Sequence, residues 1–552
     1  MDYERNHGLR WFSSAALWIN IKVLKVERRN ELASRDEWQT VCVVKRRWKI
    51  LLIGSILLVV LGLIPVTLHF RAKWKLDAYR NELIRKGEQI EAVQLIPQSV
   101  RNGAANGAHL INVSAAVGNR LRELLPFRMQ IVAPGKARLT CRETAILENV
   151  NATYVPEATK SPGGEIDIVP LFESEVAAKR DLLIELRDAT AGPMQFPINY
   201  AKGMVALLPH LAPLKEAAMN LCALTAFDLR KKHTDEATAD LLAEVRLIGN
   251  WQHEPMLISE LVRCACVTLS CCSTWEAVES HQLSETQLRQ VQQSWEELDL
   301  LTKATASMKF EAVVNAQTIE AVRSDKDIWT GGATMNRLNE FGQLVTETLS
   351  EPKAGFKQLL DRYPRYWAWC WVGSYEDDLR TRRCVEDICQ QIRMAQLWKG
   401  STLYRRGEDG LWELGSESVF SWATGNNATL RRSAAKLIQN QSLVSLTVTA
   451  IALERYRLQH LNYPATLDEL VPSLLKRVPV DYIDGKPVRY RSLSNGSFLL
   501  YSVGVNGVDD GGDATPMEGS GSSSFLMRKD LVWPQVASAD EVKAFDEKKR
   551  GR

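Results

Sequence analysis

The sequence predicts a mainly α-helical protein with a small α+β module at its carboxyl end and a single transmembrane helix near its amino end. Three observations lead there. Residues 50–70 (ILLIGSILLVVLGLIPVTLHF) carry no formal charge. Residues 203–323 place apolar side chains at the spacing of four successive helices. Residues 488–493 and 497–503 read as strands on either side of Asn495-Gly496. The chain then divides into a cytoplasmic segment (1–49), the transmembrane helix (50–70), and a membrane-proximal helix with a small mixed α/β region (71–200). A helical-bundle body with an aromatic-rich segment (201–427), the carboxyl-terminal module (428–516) and a flexible tail with a short helix (517–552) complete it.

As a helix rising about 1.5 Å per residue, Ile50–Phe70 reaches roughly 30 Å, the thickness of a hydrocarbon core. A helix satisfies its own backbone hydrogen bonds, which lipid cannot do. The flanks Lys45-Arg46-Arg47-Trp48-Lys49 and Arg71-Ala72-Lys73-Trp74-Lys75 suit two headgroup layers better than a buried core helix. His69-Phe70-Arg71-Ala72-Lys73 lacks the small residues of a cleavage site, so an uncleaved anchor is expected. The denser Arg46-Arg47 block points to a short cytoplasmic amino terminus, with the bulk of a single-pass inner-membrane protein on the periplasmic side. Residues 1–49 read equally as an amphipathic segment on the inner leaflet or as an over-extended translation start.

With 552 residues, 45% apolar content and a net charge of +3, the chain has room for two or three units. No basic stripe with interleaved aromatics suggests nucleic acid. Residues 443–453 are too short and too polar for a second crossing. The ten cysteines form no CxxC pair and no zinc-like Cys/His spacing. Cys264, Cys266, Cys271 and Cys272 share one predicted helix, where they serve as small apolar residues. Export would permit a disulfide involving Cys384 or Cys389. Motifs of serine hydrolases, zinc proteases, P-loops and dinucleotide folds are missing, and the eight histidines are scattered.

Along the chain, Leu76, Tyr79, Leu83, Ile84 and Ile90 predict a helix over 71–95, ended by Pro97 and a loop at 101–107. Residues 129–132 and 137–141 flank the hairpin turn Pro134-Gly135, and 165–172 (EIDIVPLF) reads as a strand. Residues 182–188 fit either period. Helices follow at 214–232, from Thr234 as N-cap, and at 256–279 with Pro255 at the start. A longer one runs from the capping box Ser284–Gln287 towards Ala321. Their short links imply antiparallel packing, as a bundle or a helical-hairpin stack. Shorter helices are expected at 336–349 and 356–360, and another at 380–398. Between them lie Tyr363, Tyr366, Trp367, Trp369 and Trp371 of YPRYWAWCW, either a packed aromatic cluster or a surface for a partner, a glycan or the membrane.

A helix over 431–460 containing Ala452-Leu453-Glu454-Arg455-Tyr456 leads to Asn462-Tyr463-Pro464 and the capping box Thr466–Glu469. Val478-Pro479-Val480-Asp481, Asp484-Gly485-Lys486-Pro487, the hairpin and a final Gly504-Val505-Asn506-Gly507-Val508-Asp509-Asp510-Gly511-Gly512-Asp513 follow. In this order the pieces resemble the carboxyl-terminal globular part of the major pseudopilin of type II secretion systems, over about 85 residues. The resemblance implies a pseudopilin-like helix plus antiparallel sheet, and a last loop that binds calcium through Asp509, Asp510 and Asp513. Calcium favours such oxygen-rich loops, and the alternative is a solvated acidic turn. Residues 49–51 carry no processing motif, some 360 residues separate the apolar helix from the module, and Tyr482 stands where the family often has Pro. A borrowed module therefore fits better than a filament subunit. The tail at 514–524 reads as flexible, Leu531-Val532-Trp533-Pro534 as packing back, and 538–549 as a helix capped by Ser538 and Glu541.

Two functions follow. The first is a non-enzymatic envelope scaffold associated with a secretion or pilus-like assembly through the calcium-ordered module. The alternative is an envelope hydrolase on cell-wall or glycan material with the aromatic segment as binding surface.

Overall fold

A computed structural model describes residues 35–96, 107–125, 129–142, 146–147, 166–167, 169–251, 254–324, 369–401, 403, 424–517 and 526–550. The predicted helices at 336–349 and 356–360, the stop at Pro97 and most of the loop at 101–107 lie outside these residues. Contacts divide the chain into two compact units, Met1–Ala72 and Lys73–Arg552. The second unit takes in most of the predicted region 71–200 together with the body, the module and the tail.

Helix α1 (Arg35–Arg85) is unbroken and contains Pro65. Leu51, Ile53, Leu57, Val59, Leu63 and Phe70 are exposed along it, as are Trp48 and Trp74. By length and composition it can cross a membrane. The helix expected over 71–95 is two pieces, α1 and α2 (Ala92–Leu95). Gly87, at φ 76, takes the left-handed turn. Its N–H reaches the Ile84 carbonyl and that of Glu88 the Leu83 carbonyl, closing the last turn of α1.

Helices α3 (Ala108–Val117) and α4 (Arg120–Leu124) precede the hairpin β1 (Gln130–Ala133) and β2 (Lys136–Arg138), which turns at Gly135 as expected. β3 (Ile146–Leu147) pairs antiparallel with β4 (Ile166–Asp167). The strand read at 165–172 stops there, and α5 (Val169–Ala178) takes over. Pro170 lacks the N–H a ladder needs, whereas the first turn of a helix leaves that group unused. α6 (Arg180–Ala189) settles the ambiguous 182–188 as helix.

The body is α7 (Leu211–Lys231), α8 (Thr234–Asn250), α9 (Leu257–Ser280), α10 (Glu285–Glu296) and α11 (Ala304–Ser324). Thr234 is already helical, with His233 in the cap position, and Pro255 stands before the cap residue Met256. The Ser284–Gln287 box forms as read. The single helix expected to Ala321 is divided, because Asp299 Oδ1 accepts the N–H groups of Leu301 and Thr302 at 2.9 and 3.0 Å. That local turn replaces helical bonds. α9 also passes the apolar test for a membrane span, but it is mostly buried inside the protein. Its four cysteines are buried and unpaired, as are Cys384 and Cys389.

α12 (Ser374–Gln396) and α13 (Thr424–His460) follow. From Ser433 to Arg455, α13 is buried at nearly every position, enclosed chiefly by α9, α10 and α12. β5 (Arg489–Ser492) and β6 (Phe498–Val503) form the expected hairpin, and β7 (Asp530–Val532) adds antiparallel to β6. β8 (Gln535–Val536) lies parallel to β2. α14 (Ala539–Arg550) is the last described element, capped by Ser538 and Glu541 as expected.

One continuous core runs from Leu110 to Trp533, across the predicted limits at 200, 427 and 516. Within the segment placed in a tail, Leu531-Val532-Trp533-Pro534 packs back as expected and joins this core. Trp533 is 2% exposed and donates Nε1–H to Glu279 at 2.9 Å, while Trp275 donates to the Pro534 carbonyl at 2.7 Å. Trp533→Ala is expected to lower stability by about 3–5 kcal/mol in urea unfolding, the usual cost of emptying a buried aromatic site.

Candidate functional site

The acidic loop predicted at 504–513 leaves β6 beside β7. A Cβ on Gly504 would lie 2.0 Å from the Lys529 carbonyl oxygen, so only glycine allows this approach. Gly507, Gly511 and Gly512 adopt φ 65, 72 and 89, which bends the loop back on itself. Asp530, fully buried on β7, anchors it. Its carboxylate accepts the N–H groups of Asp510 at 3.3 Å, Gly512 at 2.7 Å and Asp513 at 3.1 Å.

The three predicted calcium ligands share this loop but turn to different partners. Asp509 accepts from Tyr501 Oη at 3.0 Å, Gly511 N–H at 3.2 Å and Arg489 Nε at 3.1 Å. Asp510 accepts from Asn506 Nδ2 at 2.6 Å. Asp513 accepts from Lys529 Nζ and Thr515 N–H, both at 2.9 Å. Among the described residues no three His, Cys, Asp or Glu side chains converge as a metal site would require. As arranged, Arg489 pairs with Asp509 and Lys529 with Asp513, and a calcium ion taking both carboxylates would have to displace both cations.

Arg489 is the hub. It also reaches Asp481 at 3.0 Å and, closer still, Asp484. Asp481 is completely buried and accepts in addition from Ser442 Oγ on α13 at 3.0 Å, Ile483 N–H at 3.0 Å and Val503 N–H at 2.9 Å. One guanidinium therefore ties the module's helix, strands and loop together. Burial raises the Asp481 carboxyl to about 6 despite these bonds. At Asp509 burial pushes upward, but Gly511, Tyr501 and Arg489 outweigh it and hold the carboxyl below its ordinary value. Lys529 does the same for Asp513. Arg489, Asp481, Asp484, Lys529 and Asp530 carry this geometry. In the sequence their only signal was the position of Asp481 and Asp484 in the quoted pattern and one acid set before an apolar run.

The aromatic segment divides. Trp369 is 0% exposed and donates Nε1–H to Asp377 at 2.8 Å, as a core residue beside Ile319 and Val322. Trp371 is exposed, and Tyr363, Tyr366 and Trp367 lie outside the described residues.

Several buried acids went unread. Asp240 on α8 takes a two-pronged ion pair from Arg187 on α6. Glu276 on α9 accepts Thr140 Oγ1 at 2.8 Å and Cys141 N–H at 2.5 Å, and Glu244 on α8 accepts Thr225 Oγ1 at 2.8 Å. Each binds one layer to the next. Burial raises Asp240 and Glu276 to about 7 and Glu244 to about 8. A cleft of about 630 Å³ opens elsewhere, lined by Lys73, Asp77 and Arg80 of α1, by α2 and by parts of α11 and α12.

No family model, curated protein or solved structure matches this chain.

Two outcomes are expected. Arg489→Gln leaves the enclosed Asp481 without its counter-charge and should cost about 3 kcal/mol in urea unfolding. The buried carboxyls bind protons more tightly folded than unfolded. Glu244, ordinarily near 4.5 and raised to about 8, therefore makes stability fall as pH rises from about 5 through 8. Unfolding curves across that range should show a shallower decline for Glu244→Gln than for the parent.

Proposed function

We propose that the chain is a membrane-anchored scaffold of the cell envelope. Ile50–Phe70 crosses the inner membrane once, residues 1–49 stay in the cytoplasm, and the bulk works as an interaction body on the periplasmic side. The observation that carries this is the exposed apolar run of α1, bracketed by Trp48 and Trp74. Water would leave that surface unburied, while a bilayer core of roughly 30 Å matches its length and the two indoles suit its borders.

The carboxyl-terminal module is assigned the docking role, with a secretion or pilus-like assembly as partner. Its helix offers no free apolar face, since α13 is enclosed within the same chain. Docking then falls to the exposed loops, above all the acidic one. Calcium enters this reading as a competitor of Arg489 and Lys529 for Asp509 and Asp513. The packing of α9 to α13 favours a scaffold over a hydrolase, as does the inward position of Trp369.

Sodium carbonate washing of vesicles should leave the protein in the membrane pellet. A protease added to spheroplasts should digest residues beyond 85; release into the wash, or a protected carboxyl half, would defeat the assignment. Calcium at millimolar levels should raise the Tm of Lys529→Gln more than that of the parent chain, because the internal counter-ion is gone.

A further inference from the structure

We propose that the end of α12 and the turn facing it, around Leu397, Trp398 and Arg477, form a docking surface for an acidic segment of a partner protein. This rests on the reading of the chain as an interaction scaffold. It adds a basic docking face to that scaffold, distinct from the acidic loop at 504–513.

The surface is assembled from three separate stretches of chain. α12 ends in a turn where the Lys399 N–H reaches the Met394 carbonyl at 3.0 Å and Trp398, at φ 57, takes the left-handed position. Glycine is the usual residue there, because a side chain strains that conformation. The tryptophan ring is not spent on filling the core: it is 39% exposed, and Leu397 beside it is 63% exposed. The Arg477 guanidinium lies over the indole, its Cζ 3.8 Å from the ring centroid, and Tyr482 stands beside both. The support beneath is tight. Ser401 donates its N–H to the Ile483 carbonyl at 2.8 Å, and a Cβ on Gly485 would come within 2.2 Å of the Trp398 carbonyl oxygen. Gln396 reaches Thr302 Oγ1 at 3.4 Å, which brings the turn before α11 to the same place.

Charge selects the partner. Lys303, Lys399, Lys476, Arg477 and Lys486 all belong to these stretches and are exposed. Among the described residues, none of these cations has an ion-pair partner. The acids closest to them are committed elsewhere: Asp299 accepts from the Leu301 and Thr302 N–H groups and from Thr302 Oγ1, while Asp481 and Asp484 hold Arg489. Even against Glu296, Glu297 and Asp299 at the end of α10, the five cations leave an excess of positive charge. An exposed leucine and a stacked tryptophan–arginine pair, flanked by unanswered cations, have the make-up of an interface centre whose partner is acidic. That partner is a protein rather than a lipid layer or a nucleic acid, because Arg477 covers one face of the indole. A ring so covered cannot sink among acyl chains without taking a guanidinium along, nor offer that face to a base.

The test uses the full chain in detergent micelles and a fluorescein-labelled peptide of Glu-Glu-Leu repeats, with a Gln-Gln-Leu peptide as its uncharged counterpart. Anisotropy should show the acidic peptide bound about tenfold more tightly than the neutral one, with a steep loss between about 50 and 500 mM salt. Trp398→Ala should weaken binding about tenfold, as should Lys399→Gln/Lys476→Gln. Lys543→Gln/Lys548→Gln, which removes the same charge from exposed positions of α14, should leave it unchanged. Equal losses in the two lysine pairs reduce the attraction to net charge and overturn the site. So does a Trp398→Ala chain that keeps the parent Tm and binds as the parent does. A bimane label at Leu397→Cys, in a Cys42→Ser background where the remaining described cysteines are buried, should be open to iodide in the free chain and shielded by the acidic peptide. A label already shielded shows the face covered by this chain or a second copy, and one quenched by nitroxide lipids in phosphatidylglycerol vesicles shows it covered by lipid. Either result overturns the proposal. A chain that washes off membranes with carbonate yet binds the peptide loses the anchor and keeps this surface, whereas one that resists carbonate and ignores the peptide loses the surface alone.

Discussion

The constraint on which the fold depends is the enclosure of α13. A helix surrounded on all sides must find partners for every polar side chain inside the protein, because an unpaired buried group costs more than its bond returns. α13 carries many. Gln441 exchanges hydrogen bonds with the backbone of Leu298 and Leu300, at the break between α10 and α11. Glu454 takes His281 and Arg457, and Arg455 reaches across to Glu285 and Gln292 of α10. Ser442 holds Asp481, and through it the Arg489 hub. The partners come from the residue that caps α9, from α10 and the break after it, and from the segment before β5 at once. The module cannot be lifted out of the body without stranding these groups, which is why the two form a single compact unit.

Helical content and most helix positions were legible because they depend on local period and caps. The Ser284 and Thr466 boxes, the Pro134-Gly135 turn, the Asn495-Gly496 hairpin and the Ser538 cap are all short-range signals, and all appear in the fold. Errors arose where a local competitor intervened. Pro170 converted an apparent strand into a helix start, Gly87 closed α1 early, and Asp299 divided a long helix. Division into domains was the least legible, since burial is a property of contacts between distant residues. Leu531-Val532-Trp533-Pro534 packs back as the sequence predicts, with β7 completing the module's sheet, but composition gave no sign that the surrounding 517–552 segment belongs to the same core.

The candidate site shows the same contrast. Glycine and aspartate spacing located the loop, and the loop is there. Its electrostatics depend on Arg489 from β5, Lys529 and Asp530 from the far side of residues 518–525, and Asp481 beneath α13. None is near the loop in sequence. A pattern of acids reports where negative charge collects and is silent on which positive charge answers it. Here Arg489 and Lys529 answer two of the acids, Asp509 and Asp513, while Asp510 takes the Asn506 amide.

The pairing of β8 with β2 joins residues near the two extremes of the compact unit. A ribosome must add about 400 residues after β2 before the strand that closes this sheet exists. During synthesis the edge of β2 and the indole of Trp275 wait without their covers. The same stretch that covers both, Trp533 to Val536, therefore acts as a late clasp on a helical body already able to assemble.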